Sequence, residues 1–218
     1  MKGLGLIGGC LLAVCACLPA WSQAIVHHDY TITFTSISND DTFISEKQPG
    51  SNFGSKQYLY IGVKNNGKCW ALLTFAIPQF KEKVYVTKAY LYLYPIIVNT
   101  PAAYNVHLVT QRFIPAPRFQ GKENQRLGVT WETMPVFDAV PCGSVYIDRP
   151  EQIATIDIRS CLQRAFDEKK DFCALLLRNG KDFARALDSY VVCYSANNTH
   201  PSYKGKVPFL DISLLQIK

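Results

Sequence analysis

Residues 89–94 read Ala-Tyr-Leu-Tyr-Leu-Tyr, and this strict two-residue alternation restricts the fold more than any other feature of the chain. Successive side chains of an extended strand point to opposite faces. Ala89, Leu91 and Leu93 therefore share one face, and Tyr90, Tyr92 and Tyr94 the other. The run 58–61 repeats the device, with Leu59 and Ile61 opposing Tyr58 and Tyr60. Further short runs of β-branched, aromatic and aliphatic residues lie at 30–34, 42–44, 69–77, 104–109, 129–131, 144–147, 154–158, 173–177, 190–195 and 208–215, separated by clusters rich in Gly, Pro and Asn. Many short strands with such punctuation predict an all-β chain, an antiparallel β-sandwich or barrel. Tyr and Phe number 12 each against 2 Met, a bias that suits strands. Only 159–169 breaks the rule. There Cys161, Leu162, Ala165 and Phe166 recur at helical spacing, which predicts one short helix packed on the sheets.

The first 24 residues do not belong to this pattern. Met1 and Lys2 precede an apolar stretch over 3–18, and Ser22 and Ala24 place small residues where a signal peptidase reads. Residues 1–24 are expected to be a cleaved secretory signal peptide, with 25–218 forming a single domain. The apolar stretch is short for a membrane span of about 20 residues, and no later run is long enough to cross. Hydrophobic residues at 48% and charged residues at 18% exclude intrinsic disorder. The net charge of +6 is small and scattered. It gives no reason to expect nucleic acid, and it is compatible with an acidic polymer as partner.

Five of the eight cysteines lie beyond residue 24: Cys69, Cys142, Cys161, Cys173 and Cys193. Secretion favours disulfides. An odd number leaves at least one thiol free or available for an intermolecular disulfide. No Cys-x-x-Cys pair is present, so a zinc site is not expected.

Residues 40–62, from the Asp-Asp-Thr-Phe at 40–43 through the Asn-Phe-Gly-Ser at 52–55 to Gly62, followed by the Ala-Leu-Leu-Thr-Phe at 71–75, resemble the opening of the disaggregatase-related (DNRLRE) domains. Val-Thr-Lys-Ala-Tyr-Leu-Tyr-Leu-Tyr at 86–94 and Val-Thr-Trp-Glu-Thr-Met-Pro at 129–135 resemble later motifs of that family. So do the 154–166, 173–179 and 207–213 segments, in order. The resemblance covers residues 40–215. Such domains are similar to carbohydrate-binding module family 96. The implied fold is a β-sandwich of jelly-roll type. The implied role is non-catalytic binding of polysaccharide, with uronate polymers among the known ligands. In this family the strands carrying Cys173 and Cys193 are neighbours. A hairpin centred near Phe183 would then set the two cysteines opposite each other in the inward phase, and a Cys173–Cys193 disulfide is expected, with Cys161–Cys173 as its competitor.

Candidate ligand-binding residues follow from alternation and charge. If their strands pair, Tyr58, Tyr60, Tyr90 and Tyr92 form an outward platform on which a sugar ring stacks. As cross-strand pairs they would simply cover the sheet. Trp70, out of phase with Ala71, Leu73 and Phe75, is a further outward candidate, whereas Trp131 reads as structural. The long segment 111–126 carries Arg112, Arg118 and Lys122, which suit the carboxylates of a uronate or serve only solubility. The sequence brings no pair of carboxylates together for acid–base catalysis, so no enzymatic activity is expected, a hidden polysaccharide-active site being the alternative. No cofactor is required. Asp40 and Asp41 beside Asn39 are weak calcium candidates, equally accounted for by an Asx turn. Asn197 heads an Asn-Asn-Thr sequon and is a candidate glycosylation site. The runner-up reading is a structural or adhesive extracellular protein that uses the same sandwich for protein contacts.

Overall fold

The computed structural model describes residues 30–114, 128–180, 188–203 and 205–217. Within them run β1 (Tyr30–Ser45), β2 (Tyr58–Lys64), β3 (Gly67–Ala76), β4 (Val84–Leu93), β5 (Pro95–Val98), β6 (Ala102–Leu108), β7 (Gly143–Ile147), β8 (Ala154–Asp157), α1 (Arg159–Asp167), β9 (Phe172–Asn179), β10 (Ser189–Tyr194) and β11 (Phe209–Gln216). Every strand pairing is antiparallel. This is the all-β sandwich with one short helix that the alternating runs predict.

Two groups of strands close on one core. The first half of β1 pairs with β11, which pairs with β4, which pairs with β8. The second half of β1 pairs with β3, followed by β9, β6 and β7. β1 serves both groups because its register shifts between Ser38 and Asp40. The Ser-Asn-Asp-Asp at 38–41 reads as a turn in the sequence. In the fold the chain stays extended through it, because Asp41 is gripped from another part of the chain, as described below. The two short runs at 30–34 and 42–44 are thus one long strand.

β2 and β3 form a hairpin in which Asn65 and Asn66 both have positive φ, 52° and 58°, as a two-residue turn of the primed type requires. The branch then departs. Gly62, with φ +127°, pairs with Cys69 of β3 on one side and with Tyr190 of β10 on the other. A Cβ there would lie 2.2 Å from the Ser189 carbonyl oxygen, so only glycine lets β10 approach. Before Gly62, over residues 58–61, β2 pairs with β10 alone, β9 takes over the edge of β3 from Ala71 onward, and β10 continues to β5. β5 has no counterpart in the sequence reading. It opens on Pro95, which is tolerated as the first residue of a strand.

The main core holds Leu59 and Ile61 of β2, Ala89, Leu91 and Leu93 of β4, and Leu210, Ile212 and Leu214 of β11, all at most 1% exposed, together with the inward faces of β3, β6, β8, β9 and β10. α1 adds Cys161, Leu162 and Ala165. A second cluster lies on the other side of β3 and β9, where Ile44, Trp70, Leu72 and Leu176 are covered by Val129, Trp131, Met134 and Phe137. The run 129–131, expected as a strand, forms part of this cover. Thr130 and Thr133 bond to each other's backbone and hydroxyl groups in a turn instead.

The disulfide expectation is corrected. β9 and β10 do not pair: Cys173 stands opposite Phe75 of β3, and Cys193 opposite Leu59 of β2. Both point inward, as their phase predicts, but different strands separate them. They are buried free thiols, as is Cys69. Cys161 bonds neither of these; its partner is Cys142, with Cα atoms 5.6 Å apart, and the link fastens the start of β7 to α1.

Candidate functional site

The aromatic alternation of β2 builds the most distinctive surface feature. With Leu59 and Ile61 committed to the core, Tyr58 (38% exposed) and Tyr60 must face outward. Tyr60 packs edge-on against Tyr58 at 5.5 Å, Phe43 at 5.3 Å and Tyr190 at 5.6 Å between ring centroids. Phe43 in turn stacks on Phe53 at 4.3 Å with the rings 10° from parallel. The result is a groove of about 310 Å3 between the loop 47–56 and β2.

Phe53 is held in place by its neighbours. Asn52 donates its amide to the Val129 carbonyl and accepts from the Gly54 N–H, while Asn197 donates to the Gly54 carbonyl. Asn197 is anchored in turn. Its N–H donates to the Ser195 hydroxyl, which donates to Asp41 at 2.6 Å, and the other oxygen of Asp41 accepts from the Ala196 N–H at 2.7 Å. Asp41 is 1% exposed. Burial pushes its carboxyl up to about 6, opposed by the donors Ser195 and Ala196.

The groove is basic at its rim. Lys47, Lys56 and Lys64 line it, and among the described residues no carboxylate does. Lys64 places Nζ 3.7 Å from the centre of the Tyr60 ring, a cation–π contact that braces the ring. Aromatic faces for the apolar side of a sugar, hydroxyls and amides for its hydroxyl groups, and ammonium groups for an acidic substituent therefore converge in one place.

The other tyrosines belong elsewhere. Tyr90 and Tyr92 also face outward, but β4 does not pair with β2, so the single four-tyrosine platform does not form. Tyr92 stacks on Phe209 of β11 at 4.5 Å, and Tyr90 neighbours Lys88. Trp70 points away from the main core as its phase predicts, yet it is 8% exposed. Trp131 lies over it at 4.8 Å, Phe137 at 5.8 Å and Arg178 at 5.5 Å, so it has no surface to offer. Trp131 is structural. Arg112 is exposed and lies 3.7 Å from Asp171, near the last residue of β3 and away from Tyr60. Arg118 and Lys122 lie outside the described residues, as does the expected signal segment.

Both oxygens of Asp41 are occupied by protein donors, and among the described residues no three His, Cys, Asp or Glu side chains gather as a metal site. Asn197 is half-buried, with its amide engaged by Gly54. Among the described residues no helix is long and apolar enough to cross a membrane.

Phe43, Phe53, Tyr190 and the three lysines escape the sequence reading as binding residues. Phe43 and Phe53 carried a signal, since they stand in the family motifs at 40–43 and 52–55. The others meet only through the branching of β2 and the path of the loop 47–56.

An antiparallel β-sandwich with a shallow groove of aromatic and polar side chains defines a ligand-binding module of the carbohydrate-binding type. The chain belongs to carbohydrate-binding module family 96, whose pattern matches residues 32–200. A comparison with curated proteins finds no match. The match takes in the whole groove, from Phe43 to Cys69.

Proposed function

We propose that this protein is a secreted, non-catalytic module that binds an acidic, uronate-type polysaccharide in the groove of Phe43, Phe53, Tyr58 and Tyr60. The observation that carries the reading is the combination in that groove of packed aromatic rings with Lys47, Lys56 and Lys64, with no carboxylate among the described residues that line it; the nearby Asp188 and Glu46 are engaged by the backbone N–H groups of Asn65 and Lys68. Stacking on Tyr58 and Tyr60 would orient the sugar, and the ammonium groups would select a carboxylated chain. Family membership supports the carbohydrate class. The uronate preference rests on charge.

Titration of the mature protein with neutral and uronate polymers tests this. Uronate should bind and neutral polymer should not. Tyr60→Ala should weaken binding about tenfold, equivalent to ~1.4 kcal/mol. Equal affinity for both polymers, or an unaffected Tyr60→Ala, overturns the proposal.

Protein contact has one observation in its favour. Ile37 (57% exposed), Phe209 and Tyr92 stand in register across β1, β11 and β4, forming an outward apolar ribbon. Silence toward every polymer together with self-association that Ile37→Asp abolishes would favour that alternative.

A further inference from the structure

A second groove, of about 390 Å3, lies beyond the other end of β3, between the turn 78–84 and the end of α1. β3 spans ten residues, so at the rise of a strand the two grooves are about 30 Å apart. Phe80 and Phe166, in edge contact at 5.8 Å, form its apolar wall.

The charges of this groove are unevenly committed. Glu82 accepts from Gln216 and Asp167 accepts from Gln163; these neutral amides leave both acids charged, and the four lysines of the lining outnumber the two acids. Lys170 is engaged by Glu168. Lys81, Lys83 and Lys169 are exposed, and among the described residues none of them is paired with a carboxylate. Lys169 is the more unusual because it ends α1 with φ 53°. Lys169 N–H donates to the Phe166 carbonyl and Lys170 N–H to the Ala165 carbonyl. This termination is commonly built on glycine, which adopts that backbone without strain. A lysine held in it projects from the groove rim. Arg112 lies at the same end of the sandwich, beside Asp171.

We propose that the groove of Phe80, Phe166, Lys81, Lys83 and Lys169 is a second site for a carboxylated glycan, so that one chain holds two acidic saccharide segments at opposite ends of β3. The ligand class rests on the reading of the first groove. Two sites on one rigid body raise the affinity for a long polymer above that for a fragment, because the second contact becomes intramolecular.

The test is calorimetric titration of the mature protein with an oligouronate too short to reach from one groove to the other. Two should bind per chain. The variant Lys81→Ala/Lys83→Ala/Lys169→Gly removes the three amines while giving position 169 the residue its backbone favours, so the fold is retained. In that variant one oligouronate should bind with unchanged affinity, and the other should bind at least about tenfold more weakly, since exposed ion pairs contribute up to roughly fivefold each. One oligouronate per wild-type chain, unaltered in the lysine variant, overturns the proposal. So does the absence of any binding. If the lysine variant loses a site while Tyr60→Ala loses none, the second groove stands and the first does not.

Discussion

Asp41 carries a price that the rest of its neighbourhood absorbs. Its carboxylate joins β1 to the turn at 195–197 and, through Asn197, to the loop that presents Phe53, yet burial raises its folded pKa from 3.8 to about 6. The sign of the linkage follows directly. Between those two values the folded state holds a proton that the unfolded chain has lost, so the contribution to stability is full below about pH 4 and declines as pH rises through about 6. Asp41→Asn cannot titrate, while it still accepts from Ala196 and can donate to Ser195. The stability of the native protein relative to this variant should therefore fall between pH 4 and 7, by on the order of 2–3 kcal/mol. Urea unfolding of both proteins across that range measures it, and a difference constant with pH would contradict the assignment. At the same scale, burial pushes the Cys173 and Cys193 thiols up to about 12. Protonated and fully enclosed thiols do not attack a partner, so Cys173 and Cys193 give no support to an intermolecular disulfide.

Among the elements, α1 shows how a short helix is kept in an all-β body. Its nine residues are too few for independent stability, and its N-cap residue Ile158 offers no side-chain acceptor, the Arg159 N–H donating instead to Asp157. It is held by Cys161, Leu162 and Ala165 in the core and by the Cys142–Cys161 bond to β7. Gln163 adds a tie to β4, accepting from the Val86 N–H and donating to the Val84 carbonyl. The disulfide spans 19 residues of sequence, which corresponds to roughly 3 kcal/mol in the chain-entropy account. Replacing both cysteines by serine should lower stability by about that amount. Peptide mapping of the unreduced, unfolded protein should yield one linked pair, Cys142 with Cys161, and alkylated peptides for Cys69, Cys173 and Cys193. A linked Cys173–Cys193 peptide would refute the strand order around β9 and β10.

For the whole molecule, the two basic grooves make salt the decisive variable. At about 0.5 M salt the Debye length is under roughly 5 Å, so binding of a polyuronate should weaken steeply. The remaining affinity should depend on Tyr58 and Tyr60 but not on Tyr90 and Tyr92, which belong to a separate aromatic cluster. Binding that is indifferent to salt, or lost with Tyr92→Ala as readily as with Tyr60→Ala, would remove the groove from its role. The alternating runs at 58–61 and 89–94 already settled which side chains of β2 and β4 are buried, because a period of two leaves a strand no other choice. The helical spacing at 159–169 and the Asn- and Gly-rich breaks between strands, such as that holding Asn65 and Asn66, were legible for the same reason: each is set by neighbours in the chain. Partners distant in sequence were not. Which strand lies beside β9, which cysteine meets Cys161, whether an outward Trp70 is open or roofed by Trp131, and that Phe43, Phe53 and Tyr60 share a groove all depend on how separate strands are ordered. That order is fixed by the burial of every inward face at once and by close approaches such as that at Gly62, where a missing side chain lets β10 pair along β2.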